Sequence, residues 1–88
     1  MQLALALGGN LWDDVLARIE PKIARRHYAT WWQPTAYVRH TETLLLVRVP
    51  NLQWRDWLWK FYGEQLVQAL TELQVIQLVV FVAEDEVQ

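Results

Sequence analysis

Apolar residues fall into a helical rhythm soon after the chain's first break. Gly8-Gly9-Asn10 interrupts an apolar opening, and Leu11, Trp12, Val15, Leu16, Ile19 and Ile23 then recur three and four apart. This spacing predicts a helix from Leu11 with Asn10 as its N-cap. Asp13 and Asp14 sit in its first turn, where the helix dipole favours acids. Pro21 lacks an N–H and clashes with the preceding turn, so the helix should end or kink after Glu20. A short second helix is expected over Arg26–Trp32, stopped by Pro34.

The period then changes. Thr35–His40 and Thr43–Val49 are two short β-prone runs around a polar break at Thr41-Glu42, which predicts a hairpin. Pro50-Asn51 opens the longest helix, Leu52–Leu73, with a core stripe of Trp54, Leu58, Phe61 or Tyr62, Leu66, Ala69, Leu70 and Leu73. Gln77–Ala83 is apolar on both faces, which predicts a strand covered on both sides or paired centrally. The order α-α-β-β-α-β defines an α+β fold, a three-stranded sheet packed against helices. The chain divides into an apolar N-terminal extension over 1–10, a module over 11–83 and an acidic tail over 84–88. The Leu3/Leu5/Leu7 alternation is open to two readings, a fourth edge strand or a frayed terminus.

Composition narrows the function classes. The 88 residues are enough for one small domain. A net charge of −2 speaks against binding duplex DNA by bulk charge. The absence of cysteine excludes disulfides, thiolate zinc sites and Cys nucleophiles. Met1–Leu7 is too short for a signal peptide, and the run Leu78–Ala83 is far short of a membrane span, so a soluble, cytoplasmic chain is expected, with no membrane partner. Six tryptophans in so short a chain are the anomaly. Each buries roughly 150–250 Å² when enclosed. Some must form the core, and others are left to form a contact patch.

No catalytic constellation is visible. His27 and His40 have no third ligand near them and form no H-x-x-x-H pair. Gly8, Gly9 and Gly63 are the only glycines, which excludes a phosphate-cradling loop and the GxxG clamp of nucleic-acid-binding KH domains. The adjacent Asp13 and Asp14 splay about 100° apart on a helix and read as dipole acids. No enzyme, cofactor, metal or small-molecule substrate is expected.

Several strings recur together: Leu11-Trp12 opening a helix, Tyr28-Ala29-Thr30-Trp31 running on to Pro34, a hairpin ending Val49-Pro50-Asn51, then Asp56-Trp57-Leu58, Tyr62 and a closing apolar strand. From about Leu11 to Ala83 this order resembles the N-terminal domain (domain I) of DnaA, the bacterial replication initiator. The resemblance implies a KH-like fold and a protein–protein docking module. Such a module self-associates weakly or meets the full-length initiator, recruits the replicative helicase DnaB, and receives lineage-specific regulators. Weak single-stranded DNA binding is also implied. It places the self-association patch at Trp12, flanked by Leu11 and Val15, although an indole at that position also suits a core. It makes Trp31 and Trp57 structural aromatics. Where the family's helicase contact has an acidic residue and a Phe, this chain has His27 and Gln53. ATP binding and origin recognition belong to later domains of the initiator, so the chain is either a fragment of one or a free-standing homologue.

Two further features stand outside the resemblance. Trp32 and Trp59 are expected off the apolar stripe. Trp59 with its neighbour Arg55 has the composition of an interface hot spot, the alternative being an indole folded over the helix edge. Between Ala17 and Arg55 there are seven bases and two acids, and Arg18, Lys22, Arg25 and Arg26 form a candidate basic face. Three readings follow: an interaction module of replication initiation, a single-stranded nucleic-acid binder using the basic face, and a free-standing adaptor or inhibitor mimicking the initiator domain.

Overall fold

A computed structural model describes residues 10–84. Within them the order is α1 (Leu11–Ile19), a 3-10 turn (Glu20–Lys22), α2 (Arg25–Trp31), β1 (Ala36–His40), β2 (Leu44–Val49), α3 (Leu52–Glu72) and β3 (Leu78–Ala83). The α+β fold and the α-α-β-β-α-β order agree with the sequence. The N-terminal strand considered for Leu3–Leu7 lies outside the described residues, as do most of the two flanking segments.

Local chemistry sets the boundaries. The Asn10 side chain accepts from the Asp13 amide at 2.8 Å and caps α1. Pro21 sits in the 3-10 turn where α1 ends. Asn51 caps α3 in the same way, accepting from the Trp54 amide at 2.9 Å. At the other end of α3, the Val75 amide bonds back to the Leu70 carbonyl and the Gln74 amide to Thr71, the paired bonds of a Schellman ending. Gln74 takes the left-handed position at φ 58°, which usually falls to glycine.

The sheet order is β1-β2-β3. β1 and β2 form the expected antiparallel hairpin, with an irregularity between Tyr37 and Arg39. β3 pairs parallel to β2, Leu44 opposite Leu78 through Val49 opposite Ala83, and α3 is the crossover that a parallel pair requires. The central strand is therefore β2. The expectation that Gln77–Ala83 is central or doubly covered is corrected: β3 has one sheet neighbour among the described strands, and only its Val79, Phe81 and Ala83 side is buried. With Leu45, Val47 and Val49 of β2, that side faces α1 and α3. On the other side Leu44, Leu46, Val80 and Val82 are half-buried, and Leu78 is exposed.

The core closes on Trp12, Val15, Ile19, Trp32, Leu58, Leu66 and Ala69 from the helical layer. Trp12, 1% exposed, lies 6.2 Å from the Trp32 ring and edge-on to Phe81 at 5.9 Å. Its indole N–H donates to the Thr35 hydroxyl at 2.8 Å, and that hydroxyl donates to the Trp32 carbonyl at 2.5 Å. Trp32 is fully enclosed, against the expectation that it lies outside the apolar set, and its own Nε1 has no partner among the described residues. Tyr28 is also buried, and burial, helped by the negative charges of Glu20 and Asp13, pushes its hydroxyl up from 10.0.

Trp12→Ala should therefore cost about 3–5 kcal/mol in chemical denaturation, the range for deleting a buried indole. A cost below about 1 kcal/mol would return Trp12 to the surface.

Candidate docking surface

The surface with the most distinctive chemistry lies where α2 ends and α3 begins. Asn51 starts α3, and the first turn brings the Trp54 indole N–H to the Trp31 carbonyl at 2.9 Å. That carbonyl is one of the last four of α2, which have no partner within their own helix. The bond ties the C-terminus of α2 to the first turn of α3. It also sets the rings together, with Trp31 4.7 Å from Trp54 and stacked on Trp57 at 4.9 Å and 14°. Phe61, one turn beyond Trp57, continues the row at 4.3 Å, and the Lys60 ammonium stands 5.4 Å over the Phe61 ring. Trp57 is 41% exposed and Phe61 50%. Trp31, Asn51, Gln53, Trp54, Asp56, Trp57, Lys60 and Phe61 line an open groove of about 610 Å³.

Helical spacing explains why these side chains share a face. Gln53, Trp57 and Phe61 are four apart, and Lys60 is three from Trp57. Leu58, Leu66 and Ala69 carry the opposite side into the core. Trp59 stands seven residues before Leu66, close to that buried side. It packs edge-on to the core residue Phe81 at 5.8 Å and is 37% exposed. One expectation is thus corrected and one choice resolved. Trp57 is a surface aromatic and not a structural one, and of Phe61 and Tyr62, the alternatives for the core stripe, Tyr62 packs inward against Trp32 while Phe61 is exposed. The row was legible as an i, i+4 series flanking the core stripe on the side away from Trp59.

The remaining sequence candidates divide. Gln53 lines the groove. His27 is exposed on α2, one turn before Trp31, and is not part of the lining. Arg55 is half-buried and pairs with the exposed Asp56 at 3.5 Å. Trp12 and Val15 do not form a contact patch in this fold, because both are enclosed by α3 and the sheet; Leu11 is half-buried against the same core. The basic face also splits. Arg18 and Lys22 both reach Glu72 at the end of α3, at 3.4 and 3.1 Å, whereas Arg25 and Arg26 are exposed. The Lys22 hydrogen bond, with help from both positive charges, holds the Glu72 carboxyl below its ordinary 4.5. Among the described residues no group of three or more His, Asp or Glu side chains is placed to hold a metal, and no helix is long and apolar enough to cross a membrane.

An α-α-β-β-α-β domain whose main surface feature is an open aromatic groove falls in the class of small α+β modules. Residues 9–72 match the DnaA N-terminal domain family, and the chain belongs to that family. A chromosomal replication initiator protein DnaA from Picosynechococcus sp. is 33% identical over 63 residues, which cover 72% of this chain and 14% of that protein. Its namesake from Gloeobacter violaceus is 30% identical over 59 residues, covering 67% of this chain and 13% of that protein.

The two exposed indoles should separate in stability. Trp57→Ala should cost about 1 kcal/mol, the worth of an aromatic pair, whereas Trp59→Ala, which uncovers Phe81, should cost about 2 kcal/mol or more. Equal costs in urea titrations would contradict the assignment of Trp57 to the surface. Glu72 predicts a pH effect. Its folded pKa is depressed, so its contribution is complete above 4.5 and is lost as pH falls through the lowered value. In acid titrations of the denaturation midpoint, Glu72→Gln should flatten the loss of stability below pH 4.5. Because the carboxylate is exposed, the difference should be small and should shrink in salt.

Proposed function

We propose that this chain is a non-catalytic docking module of chromosomal replication initiation, which receives another protein of the initiation machinery on the aromatic groove between α2 and α3. One observation carries the reading: Trp57, stacked on Trp31, and Phe61, tilted against Trp57, form an exposed aromatic row and take no part in the core. Large aromatics in such a row are the residue type that dominates binding energy at protein interfaces. Gln53, at a position where the family contacts the replicative helicase, lies in the same groove. The replicative helicase and lineage-specific regulators are the partners this reading favours. Weak self-association would use surface near Leu11, since the Trp12 indole is enclosed.

A second reading has its own observation. The near-parallel Trp31 and Trp57 rings beside Lys60 also suit the stacking of single-stranded bases.

Calorimetric titration of the chain with the replicative helicase and with the full-length initiator tests the first reading. Trp57→Ala and Phe61→Ala should each weaken binding at least about tenfold with the fold intact. Affinity untouched by both changes would refute the groove as the docking site. Affinity for oligothymidylate that exceeds the protein affinity, and falls steeply with salt, would favour the second reading.

A further inference from the structure

The sheet has a second side, separate from the groove. Strand alternation places Leu44, Leu46 and Arg48 of β2, and Leu78, Val80 and Val82 of β3, away from the core. The parallel register sets them in rows: Leu44 beside Leu78, Leu46 beside Val80 and Arg48 beside Val82. Across the hairpin, Arg39 of β1 stands opposite Leu46, and Ala36 opposite Arg48. Directly opposed residues share a face, so an apolar strip on β2 and β3 borders two arginines. Leu78 is 64% exposed, and Leu44, Leu46, Val80 and Val82 are half-buried without joining the core cluster. Parallel pairs occur almost only with both faces covered, and strands apolar on both sides carry the mark of such cover. β2 and β3 are parallel and apolar on both sides, whereas α1 and α3 pack on one side alone.

Charge says what the layer over this side must carry. Arg39 and Arg48 are exposed, and neither takes part in the ion pairs of the described residues. No strand contains an Asp or Glu. Glu42 in the hairpin turn and Glu84 after β3 stand at the strand ends, and neither pairs with an arginine. A second copy of this face would bring the same two arginines and no strand carboxylate. Residues 1–9 carry no charged side chain and would leave the arginines unmatched. Single-stranded bases need ring faces to stack on, and the aromatic rings of the strands, Tyr37 and Phe81, lie on the core side. A helix suits the dimensions: six strand residues span about 20 Å, the length of about 13 helical residues. Helices on sheet faces are also the usual way to complete such layers. We infer that the strip of β2 and β3 docks an amphipathic helix of a partner protein, whose apolar stripe covers Leu46, Val80 and Val82 and whose bordering carboxylates meet Arg39 and Arg48.

The test is an NMR titration of the whole chain, following the methyl signals of Leu46, Val80 and Val82 and the indole N–H signals. The probes are a leucine–glutamate amphipathic helical peptide of about 14 residues, the same peptide with lysine for glutamate, and anionic phospholipid vesicles. The glutamate peptide should move the three methyl signals and saturate with Kd below about 1 mM, and the lysine peptide should bind at least about tenfold more weakly. Arg39→Glu with Arg48→Glu, both at exposed positions, should reverse that preference. If the reversed chain loses its dispersed spectrum, Arg39→Gln with Arg48→Gln should still weaken the glutamate peptide about threefold. Equal affinity for the two peptides, or saturation by neither, overturns the inference. So do methyl shifts with vesicles alone, which would make the face a membrane contact, and methyl shifts on dilution of the chain, which would make it a self-contact. If Leu3→Ser, Leu5→Ser and Leu7→Ser together move the three methyl signals, the chain covers its own face and the inference falls. Peptide shifts confined to the Trp31 and Trp57 indoles overturn it while the groove reading stands.

Discussion

The enclosure of the Trp12 indole between α1, α3 and the sheet is the contact on which the other placements depend. Its ring meets Trp32 on one side and Phe81 on the other, and its one polar atom is satisfied by Thr35. Burial of an indole this size is worth about 4–6 kcal/mol gross at about 25 cal/mol per Å². The Thr35 hydroxyl, itself buried, passes the interaction on to the Trp32 carbonyl. The segment between α2 and β1 is thereby fixed against the first turn of α1, 23 residues earlier in the chain. Trp32 supplies the contrast. It is as deeply buried, yet its N–H has no partner among the described residues, so within them it contributes packing at the expense of an unmet donor.

Fixing α2 in this way decides what its neighbouring residues can do. Adjacent residues on a helix point about 100° apart. With Trp32 held in the core, Trp31 must face the first turn of α3, where Trp54 satisfies its carbonyl. Trp57 and Phe61 then extend the row outward, away from the sheet. Core and surface are built from consecutive tryptophans, and the groove follows from the geometry that closes the interior. Leaving such rings in water forfeits burial energy that a partner could recover, which is why an exposed aromatic row reads as an interaction surface.

Most of the fold was legible along the chain. Asn10 and Asn51 announced two helix starts, Pro21 and Pro34 two interruptions, and the change from a 3.6-residue to a two-residue period placed the hairpin. These are local signals, set by a cap, a missing N–H or the periodicity of side chains. The role of β3 was not legible. Apolar residues on both sides of Gln77–Ala83 suggested a strand covered on both faces or paired centrally, yet among the described strands β3 pairs only with β2, in parallel, and Val80 and Val82 are half-covered. Strand order depends on which way the α3 crossover carries the chain, and that is not written in the strand itself.

The division of the tryptophans marks the same boundary. The sequence by itself determined that six indoles would divide between a core and a contact patch, that helices start after Asn10 and Asn51, and that Leu58, Leu66 and Ala69 form a buried seam. It could not say which indoles were enclosed: Trp12 and Trp32 went in, while Trp57 came out. That choice was made by tertiary structure, because two flanks of one helix are equivalent until a sheet covers one of them. Once Phe81 arrived beneath Trp59, the flank bearing Trp57 was left to solvent.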